Sequence, residues 1–435
     1  IHMFIYEWLT PSLFVEDTCK EMLHNNHDSL CGYEVYSDTY QYRELSRSSG
    51  RAPKFIDASA RLKSVGSDGL WMRVRRSFAA TGPCQHGGRV REMSRILGME
   101  ILDFSASINP LGSPPLEDVV LSELKNICHY PDITYSDFRE AAASFVGVEP
   151  ENVVPGNGSS EIIRIFSEVC IDDGEVALIP SPTFGEYETQ SRLAGAQIVK
   201  TDIGLEEPKD LDSVFDEALL RDAKAAFFCN PNNPTGILTE RKDLMRLAER
   251  CEEHGVFLLV DEAFIELSDP DQSVADLAPD MDGLVVMRSL TKSFGVPGLR
   301  LGFAVTNGEL AEIMNMARIP WSISSIASAA AVHLLKNKEF LERSRQFVIE
   351  ELGWLRDALR SIGLRPLRSS TNFMLVDVRG TGMESGELAE RMLHEGVLIR
   401  DCKSFGLDGY VRVAVRRREE NERLVLAFKK ILEGR

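Results

Sequence analysis

The sequence predicts an α/β protein with a large domain built on a mostly parallel sheet, a smaller α/β domain and an N-terminal extension. The first observation is a series of short apolar segments, rich in β-branched residues, that end in Gly, Pro or Asn. The second is that helical stretches lie between several of these segments. The third is the length of 435 residues, which exceeds one typical domain. Strands that alternate with helices are typical of a sheet covered on both faces.

The composition excludes several classes of protein. A hydrophobic content of 43% and a charged content of 27% are those of an ordinary globular protein. The formal net charge of −18 argues against a nucleic-acid partner. The sequence contains no run of about 18 apolar residues, so no membrane-spanning helix is predicted. Eight cysteines without a C-x-x-C pair, and no recognisable secretory signal, predict reduced thiols and a cytoplasmic location.

Residues 1–84 show no sustained periodicity and are predicted to be an extension that is disordered over part of its length. Four potential metal ligands lie close together in it, at Cys19, His24, His27 and Cys31. Their spacing matches no standard zinc pattern, so we expect no metal in this protein. The role of the extension stays open between a tail, a misassigned start and a separate module.

Six strands, with helical stretches between several of them, are predicted in the large domain, residues 152–330. The strands lie in "NVVPGNG", "VALIPSP", "AAFFCNPNNPTG", "VFLLVDEAF", "LVVMRSLTKS" and "LGFAVTNG", and the helical stretches include Ser159–Cys170 and Glu240–His254. A long helix, Lys338–Ser361, is then followed by strands in "NFMLVDV", "VLIRDC" and "YVRVAV". We predict that residues 340–435 form the small domain together with residues 86–150, which also supply an N-terminal arm.

Chemically active residues follow four of the predicted strands. Asp261 follows "VFLLV", Ser289 and Lys292 follow "LVVMR", and the stretches 230–236 and 156–160 follow two others. Ligands of open α/β sheets gather at the carboxyl ends of the strands. The sequence therefore predicts one crevice that contains all four groups.

The residues of this crevice include a suitable partner for each functional group of pyridoxal phosphate. Lys292 can form an imine with its aldehyde, and Asp261 can keep its ring nitrogen protonated, which makes the ring an electron sink. The start of a helix, together with hydroxyl groups and an arginine, can bind its phosphate. Those phosphate residues are Gly158, Ser159, Ser160, Ser289 and Arg300, while Asn233 can bond the phenolic oxygen and Phe184 or Tyr187 can stack on the ring.

The motifs "NPNNPTG", "DEAF" and "SLTKSFGVPGLRLG", in this order, resemble fold-type I pyridoxal-phosphate enzymes of the class I and II aminotransferase superfamily. The resemblance runs from about His86 to the C-terminus. It implies that Lys292 is the Schiff-base lysine, that Asp261 pairs with the pyridinium, and that Arg412 binds a substrate carboxylate. It also implies that Tyr130 reaches the cofactor phosphate of a neighbouring subunit, and hence a homodimer with shared active sites.

A second set of stretches resembles the threonine-phosphate decarboxylases of cobalamin biosynthesis. These are "HGG", "LDFSASINPLGSPP", "DEAFIEL", "IPWSISSIA" and "LIRDC". The resemblance implies decarboxylation of L-threonine O-3-phosphate to (R)-1-amino-2-propanol O-2-phosphate. Related histidinol-phosphate aminotransferases have tyrosine where Phe264 stands. Ser107 departs from the asparagine expected at its position and leaves Asn109 as the candidate contact. The predicted substrate residues are His86, Asn109, Arg400 and Arg412.

Two other functions stay open. The substrate anchors decide which bond at the substrate Cα is held perpendicular to the cofactor ring, and thereby which bond breaks. The same lysine could therefore serve a histidinol-phosphate aminotransferase or a related one. The second alternative is a non-catalytic regulator that binds pyridoxal phosphate and uses residues 1–84 to bind a partner. Deleting residues 1–84 would abolish the output of a regulator but not the turnover of an enzyme.

Overall fold

The computed structural model describes residues 75–84 and 86–434, which belong to one compact unit, Gly66–Arg435. The predictions for residues 1–74, including the Cys19 to Cys31 ligand set, fall outside the described residues. The strands are β1 (Leu102–Asp103), β2 (Val153–Asn157), β3 (Val176–Ser181), β4 (Gln197–Asp202), β5 (Ala223–Cys229), β6 (Phe257–Asp261), β7 (Leu284–Ser289), β8 (Leu301–Val305), β9 (Arg365–Pro366), β10 (Phe373–Asp377), β11 (Val397–Leu398), β12 (Arg400–Asp401) and β13 (Tyr410–Ala414).

Helices surround these strands. They are α1 (Arg76–Ala80), α2 (Val90–Leu97), α3 (Glu117–Glu123), α4 (Ser136–Val146), α5 (Ser159–Cys170), α6 (Glu186–Ala194), α7 (Leu211–Val214), α8 (Glu217–Asp222), α9 (Arg241–Glu253), α10 (Leu290–Ser293), α11 (Gly308–Ala317), α12 (Ser325–Leu335), α13 (Lys338–Ser361), α14 (Ser385–His394) and α15 (Arg418–Glu433). In the described residues, no helix is both long and apolar enough to cross a membrane.

The large sheet has seven strands in the order β2-β8-β7-β6-β5-β3-β4. Strand β8 runs antiparallel to both of its neighbours, and the other pairings are parallel. This confirms the predicted α/β fold with a mostly parallel sheet. Because β8 is reversed, its first residue lies at the edge where β2 and β7 end, and Ser289 pairs with Gly302 there.

Both faces of the large sheet are buried. Along β6, Leu258 and Val260 belong to one apolar cluster and Leu259 belongs to the other. The same alternation holds along β5 and β7. Successive strand residues point to opposite faces, so this sheet needs apolar residues at every position, which explains the uninterrupted apolar runs in the sequence.

The C-terminal part of the chain has its own sheet and core. Strands β12, β13, β10 and β9 form an antiparallel sheet in that order. Helices α13, α14 and α15 contribute residues to a third apolar cluster with this sheet, among them Leu355, Leu388 and Phe428. The stretch "VLIRDC", expected to be one strand, is two short strands: β11 pairs with β1, whereas β12 pairs with β13.

Segment 86–150 contacts both parts of the chain. Strand β1 pairs in parallel with β11 on the C-terminal side. Helix α4 instead buries Phe138, Ala142 and Ala143 in a cluster of the large sheet. Residues 102–112, which begin with β1, are called the strap below, because they pair with β11 at one end and contact the helix that carries Lys292 at the other.

Candidate active site

The predicted crevice lies at one edge of the large sheet, where β5, β6 and β7 end. The backbone keeps these ends in register: Cys229 pairs with Asp261, and Asp261 with Met287. Strand β2 ends at the same edge, where Asn157 pairs with Leu301 at the start of β8. The sheet therefore brings Asp261, Ser289, Arg300 and the start of α5 together.

Lys292 stands on the single-turn helix α10, directly after β7. It is half-buried, and its Nζ lies 5.9 Å from the centre of the Phe264 ring. Burial, together with the positive charges of Arg412 and Arg300, lowers the pKa of this amine to about 8. An amine with this pKa has a substantial neutral, nucleophilic fraction near neutral pH.

Asp261 is a buried carboxylate held by two hydrogen-bond donors. The Tyr187 hydroxyl donates to Oδ2 at 2.6 Å, and the Ala263 backbone N–H donates to Oδ1 at 2.9 Å. Burial raises the pKa of Asp261 to about 6, although both hydrogen bonds act in the opposite direction. Within the described part of the chain no cation forms a salt bridge with it, so the carboxylate suits a cationic ligand.

The hydroxyl of Tyr187 has a role that was not predicted. Tyr187 is fully buried, and its ring stacks on Phe227 with centroids 5.3 Å apart. It therefore supports Asp261, and half-buried Phe184 is left as the candidate for stacking on a cofactor ring. The sequence contained one indication of this role: a carboxylate that follows an apolar strand, such as Asp261, is buried and requires a hydrogen-bond donor nearby.

Two glycines shape a cradle at the start of α5. Gly158 precedes the helix with φ +76°, and no side chain caps the helix amides. A Cβ on Gly158 would lie 2.5 Å from the Arg300 guanidinium, and one on Gly302 would lie 2.9 Å from the Ser159 nitrogen. Uncapped amides beside an arginine form a site for a phosphate, and half-buried Ser159 and Ser160 lie in the first turn of the same helix.

Arg400 and Arg412 face each other across the β12–β13 pair. Arg412 is buried, with neutral partners: it donates to the Ser105 carbonyl at 2.9 Å and to Asn233 Oδ1. Burial is the main cause that lowers the pKa of Arg412 to about 10, and Arg400 lowers it too. Like charges directly opposite each other destabilise a sheet, so this arrangement favours a bound anion between them.

Asn233 contacts Arg412, and Phe264 lies near Lys292. Because Asn233 Oδ1 accepts from Arg412, its Nδ2 donor remains for a phenolic oxygen. Phe264 packs edge-on against Phe373 at 5.0 Å, and the Arg412 guanidinium lies 5.1 Å from the Phe373 ring centre. These two rings form an apolar wall between the lysine and the buried arginine.

His86 lies close to this site, whereas both Asn109 amide protons are engaged elsewhere. His86 Nε2 is 2.8 Å from Glu186 Oε1, and its ring centre is 6.0 Å from that of Phe184. Asn109 Nδ2 donates to the Ser293 carbonyl at 2.6 Å and to Ser344 Oγ at 2.8 Å. The amide of Asn109 thus fixes the strap instead of pointing its donors at a substrate.

Tyr130 lies on the surface rather than in the crevice of its own subunit. It is 78% exposed, and its ring stacks on Trp321 with centroids 4.5 Å apart. The neighbouring Ser322 carbonyl accepts a hydrogen bond from Asn157 Nδ2, at the end of β2. Tyr130 is therefore exposed near the phosphate side of the site.

The site fits pyridoxal phosphate at each of its ends. The uncapped α5 amides and Arg300 suit its phosphate, and buried Asp261 suits its ring nitrogen. Lys292 suits the aldehyde because its lowered pKa makes it a nucleophile.

Comparisons with known proteins agree with this assembly. The profile of the family described as aminotransferase class I and II matches residues 100–428. A histidinol-phosphate aminotransferase of Methanothermobacter thermautotrophicus is 33% identical over 82% of this chain and 96% of its own. A threonine-phosphate decarboxylase of Salmonella typhimurium is 33% identical over 80% of this chain and 97% of its own. A crystal structure of histidinol-phosphate aminotransferase from Sinorhizobium meliloti in complex with pyridoxal-5'-phosphate has a TM-score of 0.74 at 19% identity, covering 86% of this chain and 99% of that one.

Proposed function

The chain belongs to the aminotransferase class I and II family and uses pyridoxal phosphate, and on this basis we propose that it decarboxylates L-threonine O-3-phosphate. The observation that carries the proposal is the pair of facing arginines, Arg400 and Arg412. Two adjacent cationic side chains can bind two anionic groups of one ligand. L-threonine O-3-phosphate has two such groups, a phosphate and a carboxylate. Histidinol phosphate has only a phosphate. The product would be (R)-1-amino-2-propanol O-2-phosphate.

The cofactor residues follow from the geometry of the crevice. We assign Lys292 to the aldehyde, Asp261 to the ring nitrogen, Asn233 to the phenolic oxygen and Phe184 to the ring face. We assign the cofactor phosphate to the backbone amides at the start of α5, to Arg300 and to buried Ser289 at the end of β7. When bound, pyridoxal phosphate supplies an aldehyde that links to the substrate amine and a ring that accepts an electron pair.

The protein orients the substrate and moves the protons. Arg400 and His86 hold the phosphate, while Arg412 lies deeper and meets the carboxylate. With both anions held, the protein would fix the orientation of the substrate carboxylate, and this orientation would select it as the group that leaves. Asp261 holds the ring proton, Phe264 and Phe373 exclude water, and Lys292 Nζ delivers a proton to Cα after CO₂ leaves.

Phe264 stands at the position where tyrosine is expected in the related histidinol-phosphate aminotransferases. A phenylalanine cannot donate to the phenolic oxygen, so of the residues around that oxygen Asn233 is the donor that the geometry offers. The alternative is an aminotransferase, because a 2-oxo acid with two carboxylates would also satisfy both arginines, and the Methanothermobacter relative is named as one. The two functions differ in whether the substrate carboxylate is lost.

We also propose a homodimer with shared active sites. An apolar surface, called the α3 patch, includes five large exposed side chains: Leu121, Leu124, Ile127, Tyr130 and Ile133. A second copy of the chain is its natural occupant, because Tyr130 stands exposed near the phosphate side of the site and can reach a neighbouring cofactor. Exposed apolar patches of this kind are typical of interfaces.

The decisive experiment is incubation of the purified holoenzyme with L-threonine O-3-phosphate, without any 2-oxo acid, while CO₂ is measured. We expect catalytic CO₂ release that the Lys292→Ala variant lacks. Arg412→Gln should lower kcat/KM about 10- to 100-fold, the effect of losing a hydrogen bond to a charged group. Amino transfer from histidinol phosphate to 2-oxoglutarate, with no CO₂, would instead establish the aminotransferase.

A further inference from the structure

A cluster of three ligand-type side chains lies beside the crevice and outside the cofactor set. Cys84, His86 and Glu186 place a thiol sulfur, an imidazole nitrogen and a carboxylate oxygen within 4.8 Å of one another. We propose that these three residues form a binding site for a divalent cation of the zinc class, and that this cation competes with the phosphorylated substrate. The competition, but not the site, rests on the proposed function of His86.

The ligand types match this class of cation. Zinc takes sulfur, imidazole nitrogen and carboxylate oxygen in a tetrahedral shell, and non-structural sites commonly use three protein ligands and one open position. A mixed sulfur–nitrogen–oxygen set does not suit calcium or magnesium, which prefer oxygen. The spacing of Cys84 and His86 alone gave no such indication, because the third ligand comes from the start of α6.

The surroundings fix the carboxylate and the thiol in place. Gln190 Nε2 donates to Glu186 Oε2 at 2.8 Å, which leaves Oε1 facing His86 at 2.8 Å. This is the outer-shell hydrogen bond that metal-binding carboxylates usually have. A Cβ on Gly185 would lie 2.8 Å from Cys84 Sγ, so the thiol reaches the cluster because residue 185 has no side chain.

A fourth coordination position has room. A cavity of about 330 Å³ lies beside the cluster and is lined by Cys84, Phe184, Gly185 and Thr189, among others. Water molecules fit in this volume. Of the three ligands Cys84 lines this cavity, so a water or a small anion could approach a metal ion from the side of the thiol.

Binding is a ligand exchange that needs no co-reactant. The sulfur–metal bond forms as the thiol proton leaves to solvent, and the His86 to Glu186 contact is replaced by two metal–ligand bonds. The thiolate and carboxylate then neutralise the two charges of the cation. Metal binding occupies His86 Nε2 and fixes the ring at the cluster, so His86 can no longer turn to donate an N–H hydrogen bond to a substrate phosphate.

The first test measures binding of Co²⁺ and Zn²⁺ to the full-length holoenzyme, freed of excess cofactor. A tetrahedral Co²⁺–thiolate site gives visible ligand-field bands at longer wavelengths than cofactor absorption. We expect these bands in the wild type, together with one more Zn²⁺ per chain than Cys84→Ser retains by equilibrium dialysis. Loss of an outer-shell partner costs 10–100-fold in affinity, so losing a ligand should cost about 100-fold or more.

The matched control is Cys128→Ser, which removes a thiol from the exposed Cys128 outside the cluster. This variant should bind both ions like the wild type, and Glu186→Gln should weaken binding as Cys84→Ser does. The potential metal ligands Cys19, His24, His27 and Cys31 are present in every variant, so any ion that they bind contributes equally to the wild type and the variants. Equal Co²⁺ spectra and equal Zn²⁺ stoichiometry in the wild type and Cys84→Ser would overturn the site.

The second test separates the cation site from the proposed reaction. Zn²⁺ should raise the KM for L-threonine O-3-phosphate in the wild type and in Cys128→Ser, with kcat unchanged, but not in Cys84→Ser. Bound metal with an unchanged KM would overturn the competition while leaving the reaction intact. Absence of CO₂ release without any metal would overturn the proposed function and leave the binding result standing.

Discussion

At the scale of single residues, Asp261 shows how a site is prepared for a charged cofactor. Its carboxylate is buried beneath Tyr187 and Ala263 without a cationic partner among the residues described. Ion pairs elsewhere in the protein behave differently: buried Arg288 meets both Glu262 and Glu266. The unpaired carboxylate therefore opposes folding until a cation reaches it.

The stability of the cofactor-free protein should depend on the protonation of Asp261. Burial raises its pKa from 3.8 to about 6, so the folded state binds this proton more tightly than the unfolded state. The stabilisation is present below about pH 4 and is lost as the pH rises through about 6. Its size is about 3 kcal/mol, from 1.36 kcal/mol per pKa unit.

Urea unfolding of the wild type and Asp261→Asn at about pH 4 and pH 7 tests this prediction. The free energy of unfolding of the wild type should fall by about 2 kcal/mol relative to that of the variant between these pH values, because part of the full effect lies below pH 4. Loading the cofactor should remove the difference, because its ring nitrogen supplies the missing cation. Parallel pH profiles of the two cofactor-free proteins would contradict the assignment.

At the scale of elements, the start of α5 depends on the shape of its first turn. Gly158→Ala adds a methyl group 2.5 Å from the Arg300 guanidinium at a residue with φ +76°. We expect the arginine to move and the dissociation constant of pyridoxal phosphate to rise about 10- to 100-fold, the effect of losing a charged hydrogen bond. Absorbance titration of the cofactor-free protein measures it.

Gly147→Ala is the matched control for this substitution. Gly147 ends α4 with φ +84°, and a Cβ there meets nothing within 4 Å. The two variants share a positive φ, but Gly158 has ψ 164°, a conformation nearly confined to glycine, whereas Gly147 has ψ 39° in the left-handed region. Gly147→Ala therefore controls for a positive φ alone, and the stronger backbone strain and the crowding of an arginine are both particular to Gly158. Equal losses of cofactor affinity in the two variants would show that a positive φ alone is responsible and that the cradle is not.

The sequence predicted those elements whose signal is local. Helices α5 and α13 begin and end at the predicted residues, and α9 differs by one residue at each end. Their apolar faces repeat with the helical period, as the buried Ile162, Ile163 and Phe166 of α5 show. Asp261 and Lys292 were predicted from an equally local signal, since Asp261 ends the apolar strand β6 and Lys292 lies three residues after the end of β7.

Features that depend on distant partners could not be read from the sequence. The split of "VLIRDC" into β11 and β12 depends on which strands pair with each half. The role of Tyr187 depends on the approach of α6 to β6, and that of Asn109 on Ser293 and Ser344. A short polar or apolar motif is compatible with either outcome until the fold supplies its neighbours.

At the scale of the whole molecule, the proposed dimer determines how subunits complement one another. Tyr130 would serve the neighbouring site, whereas Lys292 and Asp261 serve their own. Mixing Lys292→Ala with Tyr130→Ala subunits creates one site that retains both Lys292 and Tyr130. The activity of the mixture, after subunit exchange, should therefore exceed that of either variant alone.

A second mixture controls for this gain. Lys292→Ala combined with Asp261→Asn leaves every site with one defect, because both residues belong to the same crevice of one chain. This mixture should show no gain in activity. If the Tyr130→Ala mixture also shows none while exchange is demonstrated by mass, the sites are not shared.

The strap has a mechanical consequence. Near one end, its Ser105 carbonyl accepts a hydrogen bond from Arg412, and Gly87 packs against the same carbonyl so closely that a Cβ would lie 2.5 Å away. Near the other end, the Asn109 backbone N–H donates to the Lys292 carbonyl at 3.2 Å. Three residues of chain thus separate a contact with the buried arginine from a contact with the reactive lysine. We therefore expect that an anion that displaces Arg412 also shifts the strap and, through the Asn109 contact, the helix that carries the amine.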